Sequence, residues 1–183
     1  MPTNIEIKAR APEFEALRAR AERLSDAPVQ KITQTDTFFF TSKGRLKLRE
    51  FGSGMAQLIY YERDDQEGPK RSDYYVTETY DSEHLKSVLA RALGVRGTVR
   101  KVRYLYMIGQ TRVHLDDVQD LGHFVELEVV LQAGQGEDQG HAIAQELIAA
   151  LGVDRRDLLE NAYIDLLEGP PQSRSENLRS ENP

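Results

Sequence analysis

Charged residues of a single sign recur at every second position in this chain. Arg45, Lys47 and Arg49 alternate with Leu46 and Leu48, Lys101 and Arg103 flank Val102, and Glu126 and Glu128 sit among Val125, Leu127 and Val129. Glu6 and Lys8, Tyr61 and Arg63, and Arg112, His114 and Asp116 repeat the spacing. In a strand, residues two apart point to the same side, so each segment has an apolar face and a charged one. Polar-out alternation is the ordinary antiparallel pattern and accounts for any one strand. Sorting by sign over six strands is harder to account for, because a solvated face mixes signs so that cross-strand neighbours pair. Like charges about 7 Å apart along one strand repel unless a counter-charge sits among them. The basic strands therefore call for a polyanion and the carboxylates for a divalent cation. A metal-bound polyphosphate satisfies both: carboxylate oxygens suit Mg2+ or Mn2+, and Arg and Lys neutralise phosphate through charge-assisted hydrogen bonds. Phosphoryl chemistry at such a site is mainly a matter of positioning and electrostatics.

These faces need elements to carry them. Asn4 to Arg10 alternates Ile5, Ile7 and Ala9 against Glu6, Lys8 and Arg10, the period of a strand. Pro12 opens a helix over about 12–25, with Phe14, Leu17, Ala21 and Leu24 at helical spacing. Gln30 to Phe51 reads as two antiparallel strands turned at Ser42-Lys43-Gly44, and further strands run from Met55 to Arg63 and from Asp73 to Tyr80. Asp81 or Ser82 caps a helix carrying Leu85, Val88, Leu89 and Ala92, which Gly94 ends. Three more strands cover about 97–107, 110–118 and 122–132. After a loop at 134–140, Ile143, Leu147, Ile148 and Leu151 mark a helix stopped by Gly152, and Asp154 to Leu167 reads as a last helix. Residues 169–183 carry almost no apolar content and are expected to form a disordered tail, leaving 1–168 as one domain. The class is α+β, with one large antiparallel sheet. Helices with apolar stripes need a surface to cover, which the Leu, Ile and Val faces supply. The sheet is thus expected to roll into a barrel that is greasy and helix-covered outside and ionic inside. Its lumen should be wet, because ions buried dry are costly.

The balance of the 183 residues narrows the partners. Lys and Arg total 24 against 30 Asp and Glu, a net charge of -6, the wrong sign for coating nucleic acid. Cysteine is absent, which excludes disulfides, thiolate nucleophiles and Cys-ligated metal centres. No apolar run approaches the roughly 20 residues of a membrane span, and Met1 to Arg10 lack a signal-peptide core, so the chain is expected to be soluble and cytoplasmic. Gly-Lys-Ser/Thr never occurs, which excludes a phosphate-binding P-loop. His84, His114, His123 and His141 lack the paired spacing of a His-ligated zinc site and are expected to be structural or on the surface. Asp64, Asp65 and Glu67 read as a solvated acidic turn and lack the terminal Glu of a calcium loop.

Five pieces, in their order and spacing, carry a resemblance. They are Asn4-Ile5-Glu6-Ile7-Lys8; Gln34-Thr35-Asp36-Thr37-Phe38-Phe39 with Gly44-Arg45-Leu46-Lys47-Leu48-Arg49-Glu50; Lys101-Val102-Arg103; His114-Leu115-Asp116; and Gly122-His123-Phe124-Val125-Glu126-Leu127-Glu128. Over about residues 2–167 the chain resembles the CYTH superfamily, the triphosphate tunnel metalloenzymes, and within it the class IV adenylyl cyclase-like branch. The resemblance implies a closed or nearly closed eight-stranded tunnel barrel that binds a triphosphate with Mg2+ or Mn2+. It implies metal ligands at Glu6, Glu126 and Glu128, with Asp116 as a ligand or close beside them. Lys8, Lys47, Arg49, Arg63, Lys101, Arg103 and Arg112 would hold phosphates, and Lys101 and Asp116 would take part in catalysis. Lys70 and Arg71 are softer candidates, in a loop at the tunnel mouth. Two departures matter. The first Glu of the family's Glu-x-Glu-x-Lys motif is Asn4, which removes an anionic ligand and puts a second metal in question. Thiamine-triphosphatase-like members use a Tyr and a Lys where this chain has Phe38, Phe39 and Phe40, and Tyr61.

Three functions stay open at this level. The first is conversion of ATP to 3′,5′-cyclic AMP and pyrophosphate. The second is hydrolysis of inorganic tripolyphosphate or another triphosphate. The third is non-catalytic binding of polyphosphate or nucleotide. A homodimer is admitted by base rate alone.

Overall fold

The computed structural model describes residues 3–63 and 68–169. The acidic turn at 64–67 and the tail from 170 onward lie outside the described residues. Period-two alternation produces the strands β1 (Thr3–Arg10), β2 (Gln30–Phe39), β3 (Arg45–Glu50), β4 (Ala56–Arg63) and β5 (Lys70–Thr79), then β6 (Val95–Ile108), β7 (Thr111–Val118) and β8 (Gly122–Val130). Helices α1 (Phe14–Leu24), α2 (Ser82–Leu93), α3 (Glu137–Leu151) and α4 (Tyr163–Glu168) interrupt and follow them. Among the described residues the eight strands close into a barrel in the order β1-β5-β4-β3-β2-β6-β7-β8, with every neighbouring pair antiparallel. The expected α+β tunnel barrel is therefore present.

The apolar faces point outward, under the helices. Ile5, Ile7 and Ala9 of β1 join Val113, Leu115, Val125 and Leu127 in one buried cluster with Phe14 and Leu17 of α1 and Ile148 and Leu151 of α3. Burying such side chains is worth about 1.5–3 kcal/mol each, which holds the helices on the barrel. Helix α3 comes close because Gly140 has no side chain: a Cβ there would meet Ile5 Cγ1 and Leu131 Cδ2 at 2.6 Å. Helix α2 covers Phe39, Leu48 and Ala56 with Leu85, Leu89 and Ala90.

One end of the barrel is sealed from inside. Ala162, Tyr163 and Ile164 pack against Phe38, Val99, Val118 and Phe124. Gly97 makes room there, since a Cβ would lie 2.6 Å from Ile164 Cδ1. This corrects the expected helix over 154–167, which is a single 3-10 turn at Arg155–Asp157, an extended stretch, and then α4. The cause is an unfilled edge. The β1–β5 ladder runs only over Thr3–Glu6 of β1, so the next backbone groups of that strand need another partner. Leu158 bridges to Ala9, and the Leu159 N–H donates to the Lys8 carbonyl at 2.8 Å.

Two boundaries also move. β5 begins at Lys70, not Asp73, because Lys70 pairs with Glu6 in the β1 ladder. α3 begins at Glu137 inside the expected loop, with the Gly136 N–H donating to the Gln139 side chain at 3.1 Å. Among the described residues no helix is long and apolar enough to cross a membrane.

Candidate active site in the barrel lumen

The charged faces point into the barrel, where they line a cavity of about 400 Å³. The ladders set who meets whom. Across β1 and β8, Glu6 lies opposite Glu128 and Lys8 opposite Glu126. Across β7 and β8, Arg112 lies opposite Glu128 and His114 opposite Glu126.

The resulting pairs close short distances. Lys8 Nζ stands 2.9 Å from Glu126 Oε1, Arg103 Nη2 donates to Glu126 Oε2 at 2.7 Å, and Arg112 Nε donates to Glu128 Oε2 at 2.8 Å. Arg63 donates to Glu6. On the opposite wall, Asp36 accepts from Lys47 Nζ at 2.8 Å and from Arg49 Nε and Nη2 at 2.8 and 2.9 Å. Burial pushes the Asp36 carboxyl up, but Arg49 and Lys47 outweigh it and hold the group well below the usual carboxylate range. Burial, with Arg49 adding to it, brings the Lys47 ammonium down to about 8 against the pull of Asp36.

Depth separates the two ends. Arg112 and Glu128 keep 32% and 19% of their side chains exposed, against 2% and 0% for Lys101 and Asp116 at the α4 end. Lys101 Nζ donates to Asp116 Oδ2 at 2.7 Å, Arg103 donates to both of its oxygens at 2.7 Å, and the Tyr163 hydroxyl donates to it at 3.1 Å. The Lys8 and Lys101 ammoniums also lie over the Tyr163 ring, 4.1 and 4.7 Å from its centre. A cation over an aromatic face is attracted by the ring quadrupole, so Tyr163 holds both lysines from below.

The residues expected from sequence to hold phosphate (Lys8, Lys47, Arg49, Arg63, Lys101, Arg103 and Arg112) all line this one cavity. Glu6, Glu126 and Glu128 line it as well. Asp116 does not: it lies behind the lining, with both oxygens taken by Lys101, Arg103 and Tyr163. Lys70 is not in a mouth loop. It is fully buried and donates to the carbonyls of Leu159 and Glu160 at 3.2 and 2.9 Å. Arg71 points outward to Asp73 and Glu137. Arg45 shares the face of Lys47 and Arg49 but sits at the sealed end, donating to Asp165 at 3.0 Å.

Three residues have places in the site that the sequence pattern does not assign. Asp36 is the counter-charge that Lys47 and Arg49 on the neighbouring strand require, a need already visible in two basic residues on one strand face. Tyr163 had no sequence signal, because it reaches the lumen only through the break before α4. His114, expected to be structural or on the surface, lines the cavity, as its place two residues before Asp116 on the charged face allows. Its Nδ1 lies 3.6 Å from Glu126 Oε2 and 3.8 Å from Glu128 Oε1 and has no hydrogen-bond partner within 3.5 Å among the described residues. Burial and the Arg103 charge push the imidazole below its usual range, which keeps it neutral near pH 7. His114, Glu126 and Glu128 bring ligand atoms within 4.8 Å of one another. Two ionised carboxylates and a neutral, unpartnered ring nitrogen are a donor set that fits a divalent cation.

Comparison with known proteins agrees with this geometry. A protein from Methanocaldococcus jannaschii named "Putative adenylate cyclase" is 26% identical over 88 residues, 47% of this chain and 50% of that one. The alignment thus spans about half the length of that curated relative. The PH1012 protein of Pyrococcus horikoshii OT3 superposes with a TM-score of 0.75 at 25% identity, covering 88% of this chain and 97% of that one. A protein from Hippeastrum, described as revealing a dominant triphosphatase activity, superposes with a TM-score of 0.59 at 14% identity, covering 88% and 91%. The CYTH domain model matches residues 2–163, and with the barrel and its ionic lumen this places the chain in the CYTH family.

Proposed function

We propose that this chain is a divalent-metal-dependent enzyme that binds a nucleoside triphosphate in the lumen and converts ATP to cyclic AMP and pyrophosphate. The observation that carries the reading is the convergence of seven cationic side chains and four carboxylates on one cavity of about 400 Å³. The surplus is positive, two charges once Asp116 behind the lining is counted, and a triphosphate carrying one divalent cation has the complementary charge. At the end away from α4 the lining turns apolar, with Ile32, Phe51, Tyr74, Val76 and Leu105. That half supports a substrate with an organic part beyond its phosphates.

Glu126 and Glu128 would hold the cation, Mg2+ or Mn2+, and Glu6 would join them only by giving up Arg63. A cation held there would supply Lewis-acid polarisation of the phosphate. The chain's own groups do the rest. Lys47 and Arg49 on one wall, and Lys8, Lys101 and Arg103 on the other, clamp the phosphates in line. The ribose 3′-hydroxyl then loses its proton to solvent water as its oxygen attacks the α-phosphorus, the bond to the pyrophosphate oxygen breaks, and Lys and Arg neutralise the leaving charge. Tyr163 and Asp116 act as positioning residues for Lys8, Lys101 and Arg103.

Hydrolysis of the triphosphate is the second reading, favoured by the activity described for the Hippeastrum protein of like fold. One experiment separates the two. Purified protein is incubated with ATP or tripolyphosphate and Mn2+ or Mg2+, and the products are resolved. Cyclic AMP with pyrophosphate is the expected outcome, and ADP with phosphate would establish the hydrolase instead. Binding without turnover would leave a nucleotide-binding module, and no binding would overturn the site.

A further inference from the structure

We infer that the cation site in the lumen is a mixed nitrogen and oxygen site, formed by His114 Nδ1 with one oxygen each of Glu126 and Glu128, and that it prefers Mn2+ to Mg2+. This rests on the metal dependence proposed above and names the cation that the site selects.

Three observations converge. First, His114 is 4% exposed, and among the described residues its buried Nδ1 has no hydrogen-bond partner within 3.5 Å, the nearest carboxylate oxygen being Glu126 Oε2 at 3.6 Å. Buried polar atoms are almost always partnered, so an orphan on the lining of a charged cavity points to a ligand absent from the protein itself. Second, the nitrogen makes no close ion pair with either carboxylate. Lys8 and Arg103 approach Glu126 to 2.9 and 2.7 Å, whereas Nδ1 stands off at 3.6 Å from Glu126 and 3.8 Å from Glu128. Two donors about 2.1 Å from one ion lie about 3.0 Å apart at right angles and about 3.4 Å apart at a tetrahedral angle, so spacings of 3.6 and 3.8 Å need only a small inward side-chain shift to become those of shared ligands. Third, the backbone fixes the arrangement. His114 is directly across the β7–β8 ladder from Glu126, and Glu128 is two residues along the same strand face.

Ligand chemistry then sets the preference. Both cations take carboxylate oxygens, but Mg2+ gives up water reluctantly and keeps to oxygen ligands, whereas Mn2+ begins the first-row series whose later members take imidazole readily, so of the two it is the one that a ring nitrogen favours. Asn4 shifts the balance further. Its Oδ1 is also buried and, among the described residues, without a hydrogen-bond partner on the cavity lining, and it offers a neutral oxygen where an anionic one would favour a hard cation.

The test titrates full-length protein with MnCl2 and MgCl2 by calorimetry and records pulsed EPR of the Mn2+-loaded form. Wild type is expected to bind Mn2+ about tenfold or more tightly than Mg2+, and to show modulation from a directly bound ring nitrogen. His114→Gln is expected to lose that modulation and about tenfold in Mn2+ affinity, with less than about threefold change for Mg2+. If the variant fails to fold, the wild-type EPR spectrum decides alone. Mn2+ binding without nitrogen modulation would overturn the inference and leave the carboxylate site standing. No binding of either ion would overturn both the inference and the metal-dependent reading.

Discussion

Arg103 grips Asp116 at both oxygens, Nε on Oδ1 and Nη2 on Oδ2, each at 2.7 Å. The same Nη2 reaches Glu126 at 2.7 Å, so one guanidinium joins the sealed floor of the lumen to its acidic wall. Bidentate pairing of this kind fixes orientation as well as charge.

Asp116→Ala should therefore act as loss of an anchor. Removing one partner of a fully buried pair costs about 3–5 kcal/mol, which for a chain of this size lowers the melting temperature by roughly 6–20 °C. Lys101 and Arg103 lose their fixed positions, so triphosphate affinity falls, while Mn2+ affinity measured by calorimetry stays within about twofold. A loss of Mn2+ affinity as large as that of Glu128→Ala would restore Asp116 as a metal ligand.

Glu128→Ala should behave in the opposite way. Its carboxylate is near the open end and pairs with Arg112, whose side chain is 32% exposed and can turn to water. The fold is expected to survive, with a melting temperature close to wild type, while metal-dependent turnover is lost. Wild-type activity with Mg2+ or Mn2+ in this variant would rule out Glu128 as a ligand.

Arg49→Ala is a cleaner probe of phosphate binding than Arg103→Ala, because Lys47 stays to pair with Asp36. A hydrogen bond to a charged group is worth about 1.5–3 kcal/mol, so tripolyphosphate binding should weaken about 10- to 100-fold. Orthophosphate, which spans fewer cations, should lose much less. Equal losses for both ions in calorimetric titrations would count against a ladder of phosphate contacts.

Lys47 should make binding depend on pH. It faces Asp36 from β2, Arg49 from its own strand and Lys101 from β6, with the Phe38 and Tyr61 rings 5.4 and 5.7 Å away. Its ammonium titrates at about 8, so the cation is present below that pH and lost above it. Triphosphate affinity is expected to be flat below pH 7 and to fall by up to about tenfold per unit above pH 8. Lys47→Arg should fall less steeply than wild type between about pH 8 and 9, because a guanidinium keeps its charge, while Lys101, also held below its usual range by burial and Arg103, still loses charge at higher pH. Identical profiles for wild type and variant would dismiss Lys47 as the titrating group.

Much of this protein was legible along the chain. Ile5, Ile7 and Ala9 against Glu6 and Lys8, or Leu46 and Leu48 against Lys47 and Arg49, state which residues share a face, since the strand period is exact and local. The mix of sorted charges and helical stripes then left a barrel with its ions inside as the arrangement that buries the hydrocarbon. What the tertiary structure alone decided was depth and partner. Asp116 and Glu126 look alike in sequence, yet one lies sealed behind Tyr163 and the other lines the cavity. Lys70 and Lys47 are both basic strand residues, yet one binds backbone carbonyls of the closing segment. The 154–167 stretch has a helical pattern, but the unfilled edge of β1 draws part of it out as a strand-like bridge. Period carries no information about register or about position along the barrel axis. Both are set by which backbone groups are left to be satisfied once the strands have closed.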